Sequence, residues 1–329
     1  MALFKNIEEL TGFVPIMESF DFKLVLPDVE RAEKKWIIPI IGKEQYQELQ
    51  DYYDDGGYDP EADDDTNALL KIVRAPIAQL AFFLYAPKGN VNVGSSGIQQ
   101  THTENSKPAF QWATDQMLQS YFEGGMEGLD VLQDFLNEHI EDYDVWNTSD
   151  AFKAARELFI NTSKEFDKHF SINSSRRTFM AMRHIMKRHN DITIKTLLGK
   201  ELFDEIKEQV IDDDVSDENE LLLEIIRPAI AHLTISDAVT ELGLKIDEFG
   251  ITVTNSNTSS STQNLQARLP APADMTNDLH RKEKTIGEQF LAELRAFLEE
   301  NADDYPLYEV VETGSTSFEN ETDSGILFI

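Results

Sequence analysis

Much of this chain is written twice, and that constrains its fold more than any other feature. The segment WIIPIIGKEQYQEL around Gly42 returns as ITIKTLLGKELFDEI around Gly199, an offset of 157 residues. LLKIVRAPIAQL (Leu69 to Leu80) returns as LLEIIRPAIAHL (Leu222 to Leu233), an offset of 153 that also relates Gly97-Ile98 to Gly250-Ile251. Lys107-Pro108-Ala109 pairs with Ala271-Pro272-Ala273; FLNEHIEDY (Phe135 to Tyr143) pairs with FLEENADDY (Phe297 to Tyr305), an offset of 162. Five blocks in one order, separated by small gaps, identify a tandem duplication. The copies run roughly over 20–146 and 177–308 and coincide with the about two domains that 329 residues suggest.

Each copy has the same expected plan. An apolar stretch leads to Gly42 or Gly199, and a helix follows (43–51; 200–211) with Tyr46 and Leu49, or Phe203 and Ile206, on one face. A longer helix (67–85; 218–241) is apolar nearly all round and should be the buried centre of its domain, kinked or restarted at Pro76 or Pro228. The period then switches to alternation at 90–100 and 244–254, which reads as a β-hairpin in each copy. A polar stretch follows, longest at Asn255 to Asn264, and long helices resume behind Pro108 and Pro272. Gly124-Gly125 should break the first of these, and 147–170 reads as a connecting helix. The expected fold is mainly α: a tandem duplication of a helical domain, each copy carrying a β-hairpin insertion, with an extended C-terminal arm. Its domains are 1–150, 151–308 and the arm 309–329.

Charge excludes whole classes of function. Sixty-one acidic against 29 basic side chains leave a net charge of −32, which disfavours gripping nucleic acid or an anionic membrane. The absence of Cys excludes disulfides, thiolate metal sites and a Cys nucleophile. No apolar run reaches the ~18 residues of a membrane span, and Glu8 and Glu9 interrupt any signal-peptide core.

Catalytic signatures are missing as well. Residues 51–65 hold eight acids and 212–220 hold six, both without a base. Read as a twelve-residue calcium loop from Asp51, the first of these puts Tyr53 at position three and Ala62 at position twelve, so it reads instead as a solvated loop whose last acids favour the next helix N-terminus. His184 and His189 do not stack on one helical face, and His232 in the apolar helix reads as a packing residue at the edge of the core. Val93-Gly94-Ser95-Ser96-Gly97 lacks the spacing of a phosphate loop. The expectation is no enzyme, no metal and no cofactor.

What remains are devices for contact. The arm tip Ile326, Leu327, Phe328 and Ile329 is apolar on an acidic tail, and the hairpin positions Val91, Val93, Ile98, Ile246, Ile251 and Val253 offer strand edges. Arg176, Arg177, Arg183, Lys187 and Arg188 form the most basic stretch, expected to meet acidic surfaces inside the chain or on a neighbouring subunit, with DNA proximity as the alternative.

The order of these modules resembles the helical head–tail connector (adaptor) proteins of tailed bacteriophages, in particular connector-like proteins of phages and prophages of Bacteroidota. Leu69 to Leu80 with Asn90 to Gln100, their second copies Leu222 to Leu233 with Leu244 to Thr254, and FLEENADDYPLY (Phe297 to Tyr308) carry the likeness. The duplication makes this chain about twice as long as a typical adaptor. The resemblance implies a homo-oligomeric ring, commonly twelve-fold, beneath the portal protein of the virion. Such a ring is assembled in the bacterial cytoplasm, docks the next tail or ring protein, and lets DNA pass without specific binding or a membrane. Competing expectations are another phage tail or capsid-associated structural protein, and an acidic helical binding module unrelated to virions.

Overall fold

The computed structural model of the chain is mainly helical and describes residues 2–59, 62, 64–89, 92–94, 97–99, 110–242, 244–247, 250–253 and 273–308. The first repeat opens with α1 (Ile7–Thr11) and α2 (Phe22–Ala32), which runs through a π-helical turn (Glu33–Ile37) into α3 (Ile38–Ile41). After Gly42 come α4 (Lys43–Asp54) and α5 (Asp65–Gly89). An antiparallel ribbon of β1 (Asn92–Gly94) and β2 (Gly97–Gln99) pairs Val93 with Ile98, and α6 (Gln111–Glu138) closes the repeat. The short helices α7 (Asp144–Asn147) and α8 (Asp150–Ala155) lead to α9 (Ser163–Asp167). The second repeat continues with α10 (Arg176–Arg188), a π-helical turn (His189–Ile194), α11 (Lys195–Leu198) and, after Gly199, α12 (Lys200–Asp212) and α13 (Asp217–Glu241). A second ribbon, β3 (Leu244–Asp247) and β4 (Gly250–Val253), pairs Ile246 with Ile251 before α14 (Ala273–Glu300).

The duplication holds down to single torsions. Gly42 has φ 80° and ψ 164°, and Gly199 has φ 80° and ψ 166°, a region that only glycine enters without strain. Each ends one helix and starts the next, so α3–α4 and α11–α12 are corners of the same shape. Spacing decides what each helix buries. α2 turns Val25, Val29 and Ala32 inward, and α10 turns Phe179, Met182, Ile185 and Met186 inward, at helical intervals of three and four. α5 packs on α6 and α2, and α13 on α14 and α10. The chain thus has two hydrophobic cores, one ending at Phe152 and one beginning at Leu158.

By length and composition α5 could cross a membrane, but it is the buried axis of the first core. Both α5 and α13 continue as helices through Pro76 and Pro228.

Two expectations fail. α6 does not break at Gly124-Gly125; it is one helix through both. A Cβ on Gly125 would lie 2.5 Å from Leu80 Cγ, and one on Gly287 would lie 2.6 Å from Leu233 Cγ. These glycines are spaces into which the equivalent leucines of α5 and α13 insert, and close helix packing outweighs their low helix propensity. Nor is 147–170 a single connecting helix. Behind the end of α7 it is the separate short helices α8 and α9, with Ser149 capping α8 and Thr162 capping α9.

The repeats also begin earlier than the five sequence blocks suggest. Leu3 and Phe4 are buried in the first core as Leu158 and Phe159 are in the second. Asn6 caps α1 as Thr162 caps α9. Glu9 then reaches Arg74 at 2.5 Å, and Glu165 reaches Arg227, the equivalent arginine, at 3.1 Å. The linker between the domains is therefore the opening segment of the second repeat.

Candidate interaction surfaces

The repeats meet head to tail, through different faces. A stripe along α6 (Phe122, Asp130, Gln133, Asp134, Asn137) covers the opening segment of the second repeat and the first turn of α10. Arg176 Nη1 donates to Asp130 Oδ1 at 2.8 Å, and Ser163 Oγ donates to Asp130 Oδ2 at 3.3 Å. Lys164 pairs with Asp134, Arg156 Nη2 donates to Asn137 Oδ1 at 3.3 Å, and the Arg177 guanidinium lies 5.4 Å from the Phe122 ring centre. Burial raises the Asp130 carboxyl above its ordinary pKa even with Arg176 and Ser163 pulling it down, so this contact is largely desolvated.

The other basic residues of α10 have internal partners as well. Arg183 and Lys187 both reach Glu157; burial alone would push that carboxyl up, but the two cations hold it below its usual range. Arg188 bonds Asp237 at 2.7 Å and Glu241 at 2.5 Å. The sequence's most basic stretch thus lies among carboxylates of its own chain and of the first repeat.

The acidic loops act as caps. Asp64 Oδ1 accepts from the Asn67 amide at 2.9 Å, and Asn67 Nδ2 donates to the Asp59 carbonyl at 2.8 Å. In the second copy Ser216 Oγ accepts from the Asn219 amide at 3.2 Å, and Asn219 Nδ2 reaches Glu205 and Gln209. Among the described residues no group of three or more His, Asp or Glu side chains is placed to hold a metal ion. His232 lies against Phe290 and is 2.6 Å from Glu283, at the packed edge of α13 and α14.

A cleft of about 170 Å³ opens between the repeats, lined by Arg156, Arg227, Glu165, Asp213, Asn161 and Asn137 among others. Its charges are matched: Arg156 reaches Asp213 at 3.0 Å and Arg227 reaches Glu165 at 3.1 Å. Nothing in it pairs a nucleophile with a base.

Exposed apolar groups gather where sequence reasoning did not look. Phe110 and Trp112, at the start of α6, are 75% and 66% exposed and stack with ring centres 6.5 Å apart. Met275 is exposed at the equivalent end of α14. Their signal was available in the sequence, as aromatics directly behind a polar stretch. Of the expected contact residues, Val93, Ile98, Ile246, Ile251 and Val253 lie in the ribbon strands. Val91 and the arm tip Ile326 to Ile329 lie outside the described residues, as does the loop Asn255 to Asn264.

One sequence family matches, and it matches twice. Its profile, described as a family of unknown function (DUF6712), covers residues 37–156 and again 194–317. No curated protein and no solved structure matches the chain.

Proposed function

The chain belongs to the DUF6712 family, in two tandem copies, and from that premise we propose that it is a structural assembly subunit: a head–tail connector (adaptor) ring protein of a tailed-phage particle. In this reading it lies beneath the portal protein, extends the DNA channel and docks the next tail component. The observation that supports it best is the head-to-tail contact between the repeats, in which α6 of one copy covers the opening segment and α10 of the next. A contact between unlike faces is heterologous, and repetition of such contacts gives closed rings or open filaments.

The mechanism is geometric and electrostatic, without a chemical step. A chain of net charge −32, repeated about twelve times as in the resembling adaptors, surrounds a channel with several hundred negative charges. DNA phosphates are repelled from such a wall and slide without sticking. The hairpins, with Val91, Val93, Ile98, Ile246, Ile251 and Val253, and the arm tip Ile326 to Ile329 would secure neighbours and the portal.

The test is the mass of the purified chain in solution with a negative-stain image. Closed rings with a central hole support the connector. A chain that stays monomeric and captures a basic partner favours an acidic binding module instead, and a particle map that locates it away from the head–tail junction favours another virion protein.

A further inference from the structure

Arg74 of α5 and Arg227 of α13 are equivalent residues in unequal surroundings. Arg74 is 2% exposed and enclosed by four rings, those of Phe4, Phe13, Tyr53 and Tyr58, at 4.5, 5.8, 5.4 and 4.7 Å from its guanidinium. The second repeat keeps two of them. Phe159 stands for Phe4, and His169 stands for Phe13, the amide of each bonding the buried residue three positions back, Phe166 or Leu10. The other two are valines. Tyr53 and Tyr58 correspond to Val210 and Val215 at the offset of 157 that relates Gly42 to Gly199. Local geometry fixes that register through the loop. Gly56 and Asp213 both have a left-handed φ, 79° and 59°. The Gly57 amide donates to the Tyr52 carbonyl at 2.9 Å, and the Asp214 amide donates to the Gln209 carbonyl at 3.0 Å.

The missing rings leave a space. Phe159, Val210, Val215, Glu165 and Arg227 all line the cleft of about 170 Å³, and Arg227 is 20% exposed. A cavity of about 150 Å³ holds a benzene ring, so the cleft has room for one. Its charges select the kind of ring. Arg227 and Arg156 already have carboxylate partners, and an anionic ligand would meet Glu165 and Asp213 as well. A neutral ring avoids that repulsion and turns its negative face to a guanidinium. In the first repeat the Tyr53 hydroxyl donates to Glu9, the partner of Arg74, and Glu165 offers the same acceptor beside Arg227.

We propose that this cleft binds one phenol ring, the chemistry of a tyrosine side chain, with its face on Arg227 and its hydroxyl donating to Glu165. The ligand supplies from outside what Tyr53 and Tyr58 supply to Arg74 from within the chain. The site lies in a single chain and goes beyond the assembly reading.

The experiment titrates the full chain with p-cresol and follows valine methyl groups by NMR. Wild type should bind saturably, one ring per chain, with contacts from the ring protons to the methyls of Val210 and Val215; these locate the ligand without any variant. Toluene, which lacks the hydroxyl, should bind about tenfold more weakly. Val215→Tyr restores the ring that the first repeat carries at Tyr58, so it should melt no lower than wild type and weaken p-cresol binding at least about tenfold. N-acetyltyrosinamide that binds as well as p-cresol identifies the source as a tyrosine on a peptide; binding of p-cresol alone identifies a small phenol. Binding that does not saturate, ring contacts away from the two valines, or a folded Val215→Tyr chain that binds like wild type would overturn the site. None of these outcomes bears on ring assembly, and a monomeric wild type leaves the site standing.

Discussion

Gly125 of α6 faces Leu80 of α5 so closely that a methyl group on the glycine would lie 2.5 Å from the leucine Cγ. Gly287 of α14 stands in the same relation to Leu233 of α13, at 2.6 Å. The pair sets the distance between the two longest helices of each repeat, and it predicts how the core responds to added volume. Gly125→Ala gains about 1 kcal/mol of helix propensity but overpacks the contact at a cost of about 1–3 kcal/mol, so a net loss of up to about 2 kcal/mol is expected in chemical denaturation. Combining it with Leu80→Ala should cost less than the sum of the single changes, because the truncated leucine makes room. Additive losses would show that the two side chains are not in register as described.

Tyr143 donates its hydroxyl to the Asp65 carbonyl at 2.7 Å, and Tyr305 donates to the Glu218 carbonyl at 2.7 Å. Each ties the end of its repeat to the start of the long helix. Tyr143→Phe and Tyr305→Phe should each lower stability by about 1 kcal/mol. The two losses should add in the double variant, since the bonds lie in separate cores.

Arg74 is 2% exposed and sits among the rings of Phe4, Tyr58 and Tyr53 at 4.5, 4.7 and 5.4 Å, with Glu9 as its ion-pair partner. Glu9→Gln leaves a buried guanidinium without a counter-charge and should cost about 3–5 kcal/mol. Glu165→Gln, at the equivalent site, should cost less, because Arg227 is 20% exposed and keeps Glu220. Equal losses at the two sites in thermal or urea unfolding would contradict this difference in burial.

Glu33 is buried in the π-helical turn and accepts from the Leu3 amide at 2.7 Å. Burial pushes its carboxyl up to about 7 from an ordinary 4.5, against the bond from Leu3. The folded state therefore holds a proton that the unfolded chain releases. The associated stability is fully present below about pH 4.5 and is lost as pH rises through about 7, amounting to about 3 kcal/mol. Half-buried His189, whose pKa is lowered by desolvation, works the other way: its contribution is present above 6.5 and lost as pH falls. The difference in unfolding free energy between wild type and Glu33→Gln isolates the carboxylate. Wild type should lose stability relative to the variant between pH 5 and 8, and a difference that does not change with pH would refute the assignment.

Much of the fold is legible in the residues. The repeated blocks, the glycine corners at 42 and 199 and the two apolar helices follow from local conformational preference and period, which neighbouring residues carry. The opening segments were missed because they share little beyond Leu-Phe-x-Asn; their equivalence appears only through Glu9 on Arg74 and Glu165 on Arg227, partners 65 and 62 residues apart. The contact site was legible only as a list of charges. Arg176 and Asp130 are 46 residues apart, and nothing local tells a free cation from a paired one.

The sequence by itself thus determined a duplicated, helical, strongly acidic chain, because periodicity, glycine geometry and charge are properties of neighbours. Tertiary structure alone decided what each local choice is for. It made Gly125 a socket where the sequence suggested a break, neutralised the bases of α10, and left Lys23 and Arg31 of α2 and Lys34 and Lys35 of the following π-helical turn exposed. The reason is physical: burial and ion pairing depend on which surfaces come together across the chain, and one repeat can cover a face that its twin leaves bare.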